Sequence, residues 1–191
     1  MKIGIDIDGV LTIFENYKWA YQEYYDLFKI NGNGLVNPFD YAYNLYNWDE
    51  KEKEVFWRDY QKCVIEDIAM QPLANYIMRK LKEDGHSIYL ITSRKPYECH
   101  GKMVELTENW LRKNDIPYES LTYNIDNKLS ACKKLGIDVY VEDKPENVLS
   151  VASEIPVFCF HASYNIECKG NNITRVFSWP EIYRMISLIN K

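Results

Sequence analysis

The sequence has no CxxC pair, no apolar run long enough to span a bilayer, no excess of bases over acids and no internal repeat or low-complexity tract. Each absence removes a class. Five cysteines at 63, 99, 132, 159 and 168 are odd in number and scattered, which argues against a disulfide framework. Two Cys/His groupings, Cys99-His100 and Cys159-x-His161 with Cys168, match no zinc spacing, and free cysteine usually serves as a small core hydrophobe. A formal charge of −5 disfavours binding to a nucleic-acid polymer or an anionic membrane, both of which need a surplus of Lys and Arg. The opening Met1-Lys2-Ile3-Gly4-Ile5-Asp6 puts an acid where a secretion signal needs its apolar stretch, so a cytoplasmic protein is expected.

What remains is an ordinary globular composition, 47% apolar and 27% charged over 191 residues. Lys2–Ile7 reads as a buried strand. Phe14, Tyr17, Tyr21, Tyr24, Tyr25 and Phe28 recur at helical spacing, and Asn31-Gly32-Asn33-Gly34 stops that helix. Asp49 followed by Glu52 predicts a capping box at the start of a second helix. Pro72 is placed as the first residue of a third helix, closed by Gly85. Strands over His86–Thr92, Ser120–Tyr123, Asp138–Val141 and Pro156–Phe160 then alternate with helices over Lys102–Lys113, Lys128–Leu135, Pro145–Ser153 and Pro180–Ile189. Such alternation predicts an α/β fold, a Rossmann-like doubly wound parallel sheet in a three-layer α/β/α sandwich. Residues 1–13 and 72–191 are expected to form its core domain. Residues 14–71, with about half of the aromatic residues, are expected to form a small α-helical cap inserted after strand one.

Ligands of an open parallel sheet sit at the carboxyl ends of its strands. Strand one ends at Asp6-Ile7-Asp8-Gly9, strand two at Thr92-Ser93-Arg94, and strand four at Glu142-Asp143, while Lys128 opens the helix after strand three. Taken singly, each has an ordinary explanation as a turn, cap or solvated residue. Together they place several carboxylates at one edge, where they repel unless a cation neutralises them. Oxygen ligands without His or Cys suit Mg²⁺. Hydroxyl and ammonium donors beside it suit the equatorial oxygens of a phosphoryl group.

These ordered motifs resemble the haloacid dehalogenase (HAD) superfamily of phosphohydrolases: Asp6-Ile7-Asp8-Gly9-Val10-Leu11, then Ile91-Thr92-Ser93-Arg94, then Lys128, then Val141-Glu142-Asp143. The DIDGVL, ITSR and VEDKPENV segments are similar to its deoxyribonucleotidase-like branch. The resemblance implies a phosphoric monoester hydrolase in which Asp6 attacks phosphorus and forms an aspartyl-phosphate. Asp8 would protonate the leaving oxygen and later activate water. It implies Mg²⁺ held by Asp6, the main-chain carbonyl of Asp8, and Asp143, with Glu142 supporting. Thr92, the Ser93 backbone N–H and Lys128 would bind phosphate. Asn147 stands where many relatives carry an acid. Asp8 itself separates phosphatases from dehalogenases, which lack that acid.

The implied partner is a small phosphate ester. A nucleoside monophosphate and another ester such as a sugar phosphate both fit, and a non-catalytic phosphate-binding module is a third reading. Among Phe14, Tyr17, Trp19, Tyr41, Tyr43, Tyr46 and Trp48, most are expected to pack the cap and one or two to face the site, where they could stack a base. Arg94 is expected to contact substrate or pair with an acid of the cap.

Overall fold

The computed structural model describes residues 1–41 and 44–189. Tyr43 lies outside them. Six strands, β1 (Lys2–Ile5), β2 (Ser87–Ile91), β3 (Ser120–Thr122), β4 (Val139–Glu142), β5 (Val157–Phe160) and β6 (Ile173–Val176), pair in the order β3-β2-β1-β4-β5-β6. Every pairing is parallel. A sheet covered on both faces needs apolar side chains on both, and the strands divide theirs by alternation. Ile3, Ile5, Ile88, Leu90, Val139, Val141, Phe158 and Phe160 join one buried cluster, which takes in helices α3 (Ala74–Glu83), α5 (Met103–Lys113) and α8 (Trp179–Ile189). Ile91, Tyr140, Val157 and Cys159 join the opposite cluster, covered by α6 (Lys128–Leu135) and α7 (Pro145–Ala152). Complete burial of each large apolar side chain stabilises by roughly 1.5–3 kcal/mol. The three layers are those the alternation predicts.

The chain steps outward from β1 to β2 and β3, then returns to place β4 on the other side of β1. That reversal opens a crevice between the carboxyl ends of β1 and β4.

Helices α1 (Phe14–Phe28) and α2 (Glu50–Asp67) fill the interval after β1. Asp49 caps α2 as expected, with its side chain on Glu52 N–H and the Glu52 carboxylate on Asp49 N–H. Tyr25, Leu45, Tyr46, Trp48 and Phe56 form their own apolar cluster. The insert's entry and exit are zipped together: Thr12 and Met70 form an antiparallel bridge, Ile13 N–H donates to Ala69 O at 2.9 Å, and Gln71 N–H donates to Leu11 O at 2.7 Å. Helix α2 also packs Ile65 against Cys99, Met103 and Leu106 of the sheet body.

Three local expectations are corrected. Pro72 does not begin a helix; it occupies a turn closed by Ala74 N–H on Gln71 O, and Leu73 takes the left-handed conformation (φ 64, ψ 7) before α3 starts at Ala74. A short helix, α4 (Glu98–Gly101), precedes α5, with Cys99 and His100 at positive φ. Strand β6 is an addition that the sequence alternation does not predict. It lies at the sheet edge, three of its four residues are only half-buried, and its link from β5 holds a single 3₁₀ turn (Ser163–Asn165) instead of an α-helix. All five cysteines are free thiols, and no helix among the described residues is long and apolar enough to cross a membrane.

Candidate active site

Asp6 follows β1 directly, and its N–H still donates to Val141 O of β4 at 3.0 Å. The chain then turns sharply, with the Ile7 carbonyl accepting from both Leu11 and Thr12 N–H. Gly9 sits in this turn at φ +81, and a Cβ there would stand 1.9 Å from Asp143 Oδ2. Only glycine lets the β1 turn and the end of β4 come so close.

Lys128, buried at the start of α6, reaches across the crevice. Its Nζ donates to Asp6 Oδ1 at 2.7 Å and to Ile91 O at 2.6 Å. One oxygen each of Asp6, Glu142 and Asp143 lie within 4.8 Å of one another, all three residues buried. Glu142 accepts from the backbone N–H groups of Asp143 and Lys144 at 3.0 Å and from Asn147 Nδ2 at 3.0 Å. Asn147 therefore braces Glu142 at the position where relatives were expected to carry an acid. Asp143 Oδ2 accepts from Tyr164 Oη, while Asp143 Oδ1 is buried without a hydrogen-bond partner.

Arg94 lines the cavity, and the acid it pairs with is Asp8 of the turn after β1, not an acid of the insert. Its Nε and Nη2 grip Asp8 Oδ2 and Oδ1 at 2.9 and 2.6 Å, and Nη1 donates to Thr107 Oγ1 at 2.9 Å. The fork fixes the direction of the Asp8 carboxylate while each oxygen keeps a second lone pair. Thr92 is buried, and its Oγ1 accepts Arg94 N–H at 3.2 Å. Ser93 is exposed and turns its hydroxyl away to Ile125 O, 2.8 Å distant.

The residues singled out from sequence thus converge: Asp6, Asp8, Thr92, Ser93, Arg94 and Glu142 line one cavity of about 730 Å³. Lys128 and Asp143 lie against Asp6 beneath it. Phe14, Tyr41 and Trp57 also face the cavity. Tyr46 and Trp48 instead stack in the insert's own core at 5.0 Å.

Electrostatically the site is strained. Asp6, Asp8, Glu142 and Asp143 crowd together, with Lys128 paired to Asp6 and Arg94 to Asp8. Burial pushes the Asp6 carboxyl up to about 7 against the pull of Lys128, and Glu142 and Asp8 push the same way. Asp143 lies well above the usual carboxylate range, through burial first and then Glu142 and Asp6. A buried oxygen-only donor set of Asp6, Glu142 and Asp143 with an unpartnered oxygen fits a divalent cation.

Sequence reasoning missed Lys18, Tyr164 and Asn165. Lys18 is fully buried. Its Nζ sits over the rings of Tyr164 and Tyr41 at 4.7 and 5.4 Å and donates to Asp40 O at 3.4 Å. Burial pulls its ammonium down to about 8, against Glu15, Asp143 and Asp40. The unfolded chain keeps that proton until about 10.5, so between 8 and 10.5 it binds more protons than the native state. Stability due to Lys18 therefore rises with pH across that window. Wild type should gain on Lys18→Met by roughly 3 kcal/mol there, at about 1.36 kcal/mol per pH unit. Melting curves of both proteins at pH 7.5 and 10 test this; a gap that stays flat contradicts it.

Comparison with known proteins agrees with this fold. A crystal structure of a predicted phosphatase from Clostridium acetobutylicum superposes with a TM-score of 0.66 at 17% identity, covering 98% of each chain. A HAD-superfamily hydrolase, subfamily IA, from Geobacter sulfurreducens gives a TM-score of 0.62 at 14% identity, covering 97% of this chain and 95% of that one. At these identities the likeness shows the fold. In sequence, the chain is 25% identical over 192 residues to a nucleotidase of Clostridium acetobutylicum, covering 97% of this chain and 93% of that protein. Residues 1–191 match the family described as 5' nucleotidase, deoxy (pyrimidine), cytosolic type C protein, and the chain belongs to that family of HAD-type phosphoric monoester hydrolases.

Proposed function

We propose that this protein is a Mg²⁺-dependent phosphomonoesterase that dephosphorylates (deoxy)nucleoside monophosphates in the cytoplasm through an aspartyl-phosphate on Asp6. The observation that carries the reading is the buried Lys128–Asp6 pair with the Asp143 carboxylate beside it, at the floor of a cavity that also holds Asp8 and Thr92. Residues 1–13 and 72–191 are the catalytic body in this reading, and 14–71 a cap. The bridge between Thr12 and Met70 supports that boundary.

Asp6 attacks phosphorus as the ester P–O bond breaks, and the leaving oxygen takes its proton from Asp8. Asp8 then accepts a proton from water, whose oxygen attacks phosphorus and releases phosphate from Asp6. Arg94 keeps the Asp8 carboxylate aimed throughout. Lys128 balances the Asp6 charge and, with Thr92 and the Ser93 backbone N–H, meets the phosphoryl oxygens. Asp6, the Asp8 carbonyl and Asp143 would hold Mg²⁺, which when bound would supply positive charge to offset repulsion between the Asp6 carboxylate and the phosphate.

The nucleotide assignment draws on the family and on Phe14, Tyr41 and Trp57, aromatic side chains that line the same cavity as Asp6 and suit the binding of a base. Phosphate release across deoxynucleoside monophosphates, ribonucleotides and sugar phosphates tests it. Nucleoside monophosphates should show the highest kcat/KM; higher values for sugar phosphates would overturn the substrate assignment. Excess EDTA should bring hydrolysis of an aryl phosphate to background, and added Mg²⁺ should restore it. Full activity in EDTA would remove the metal from the account.

A further inference from the structure

We infer that Tyr164 is a positioning residue that gives the two oxygens of Asp143 different tasks, holding Oδ2 and leaving Oδ1 for the divalent cation. The inference rests on reading Asp143 as a metal ligand.

Tyr164 belongs to the 3₁₀ turn after β5, at the carboxyl edge of the sheet. Its hydroxyl donates to Asp143 Oδ2, and Oδ1 is buried with no donor; Asp143 brings one oxygen within 4.8 Å of an oxygen each of Asp6 and Glu142. A carboxylate free at both oxygens can rotate, or offer either one. A donor fixed on one oxygen removes that freedom and presents the other lone pair.

The turn that carries Tyr164 is itself tied down. Buried Asn165 donates from Nδ2 to Asp143 O at 2.7 Å and to Phe160 O at 2.8 Å, and its Oδ1 accepts Ala162 N–H at 3.1 Å. Arg175 of β6 donates to Asn165 Oδ1 and Asn165 O, both at 2.7 Å, and to the carbonyls of Ile166 and Cys168, both at 3.1 Å. From above, Tyr41 meets the Tyr164 ring edge-on at 5.0 Å and the Lys18 ammonium lies over it. Ser163 donates its hydroxyl to Glu15 of α1. The phenol is thus held from the sheet on one side and from the insert on the other, the arrangement expected of a group that orients a metal ligand.

The test is Mn²⁺ binding to the full chain, read by electron paramagnetic resonance of free Mn²⁺, for wild type, Tyr164→Phe, Ser163→Ala and Asp143→Asn. Tyr164→Phe keeps the ring and its neighbours and removes only the donor. It should weaken Mn²⁺ binding about tenfold, within the range for groups that orient a ligand. The half-saturating Mn²⁺ for turnover should rise by the same factor, and kcat should return at saturating metal. Ser163→Ala loosens the same turn without touching Asp143 and should bind within about twofold of wild type. Wild-type affinity in Tyr164→Phe, or an equal loss in Ser163→Ala, overturns the inference. Wild-type affinity in Asp143→Asn would instead overturn the reading of Asp143 as a ligand.

Discussion

Asp6→Asn should lower kcat by at least about 10⁴-fold while the protein stays folded, on the scale seen when a covalent nucleophile is removed. The amide has the shape of the carboxylate, so it can fill the same buried space at the end of β1. Its oxygen carries no formal charge and attacks phosphorus poorly. Lys128 loses its carboxylate partner at 2.7 Å but keeps the Ile91 carbonyl at 2.6 Å and the nearby charge of Glu142. A melting curve on the same sample shows that the fold survives. A folded Asp6→Asn protein with turnover within tenfold of wild type would rule Asp6 out as the nucleophile.

Asp143→Asn should do two opposite things. Without metal, the variant should be more stable than wild type at pH 8. The folded-state carboxyl of Asp143 lies well above its ordinary value of 3.8 through burial, Glu142 and Asp6. From about pH 4 up to the folded value the native state therefore binds more protons than the unfolded chain, and stability falls as pH rises. A neutral amide escapes that penalty, with a gain on the order of 2 kcal/mol, or several degrees in Tm for a chain of this size. With Mg²⁺ the order reverses. Wild type should gain about 2.7 kcal/mol at one hundred times the Kd, and the variant should gain almost nothing. Two thermal scans at pH 8, with and without Mg²⁺, decide this. A variant less stable than wild type without metal, or one still stabilised by Mg²⁺, contradicts it.

The parts of the molecule legible in sequence are those with a local signal. Apolar strands ending in Asp, Thr or Glu, helices closed by glycine and the Asp49–Glu52 capping box all carry their pattern within a few residues. The sheet-edge rule places Asp6, Asp8, Thr92, Glu142 and Asp143 together from sequence alone. What sequence did not show depends on contacts between distant segments. Arg94 stands out in the sequence, but its partner 86 residues away, Asp8, leaves no local trace. Lys18, between Tyr17 and Trp19, reads as an ordinary solvated lysine, and only the fold buries it against Tyr41 and Tyr164. Strand β6 has too little one-sided burial to show alternation, and Pro72 suits a turn as well as a first helical residue. Tyr164 and Asn165 were within reach, because they follow β5 at the same carboxyl edge as the acids that were identified.

The central claim is that Asp6 is the phosphorylated group, with a divalent cation beside it on Asp143. Co-crystallisation with Mg²⁺ and beryllofluoride, a mimic of the aspartyl-phosphate, addresses it directly. The fluoride adduct should sit on an Asp6 oxygen within reach of Lys128 and Thr92, with Mg²⁺ touching Asp6 and Asp143 Oδ1. An adduct on any other carboxylate, or a cation bound away from Asp143, would contradict the account.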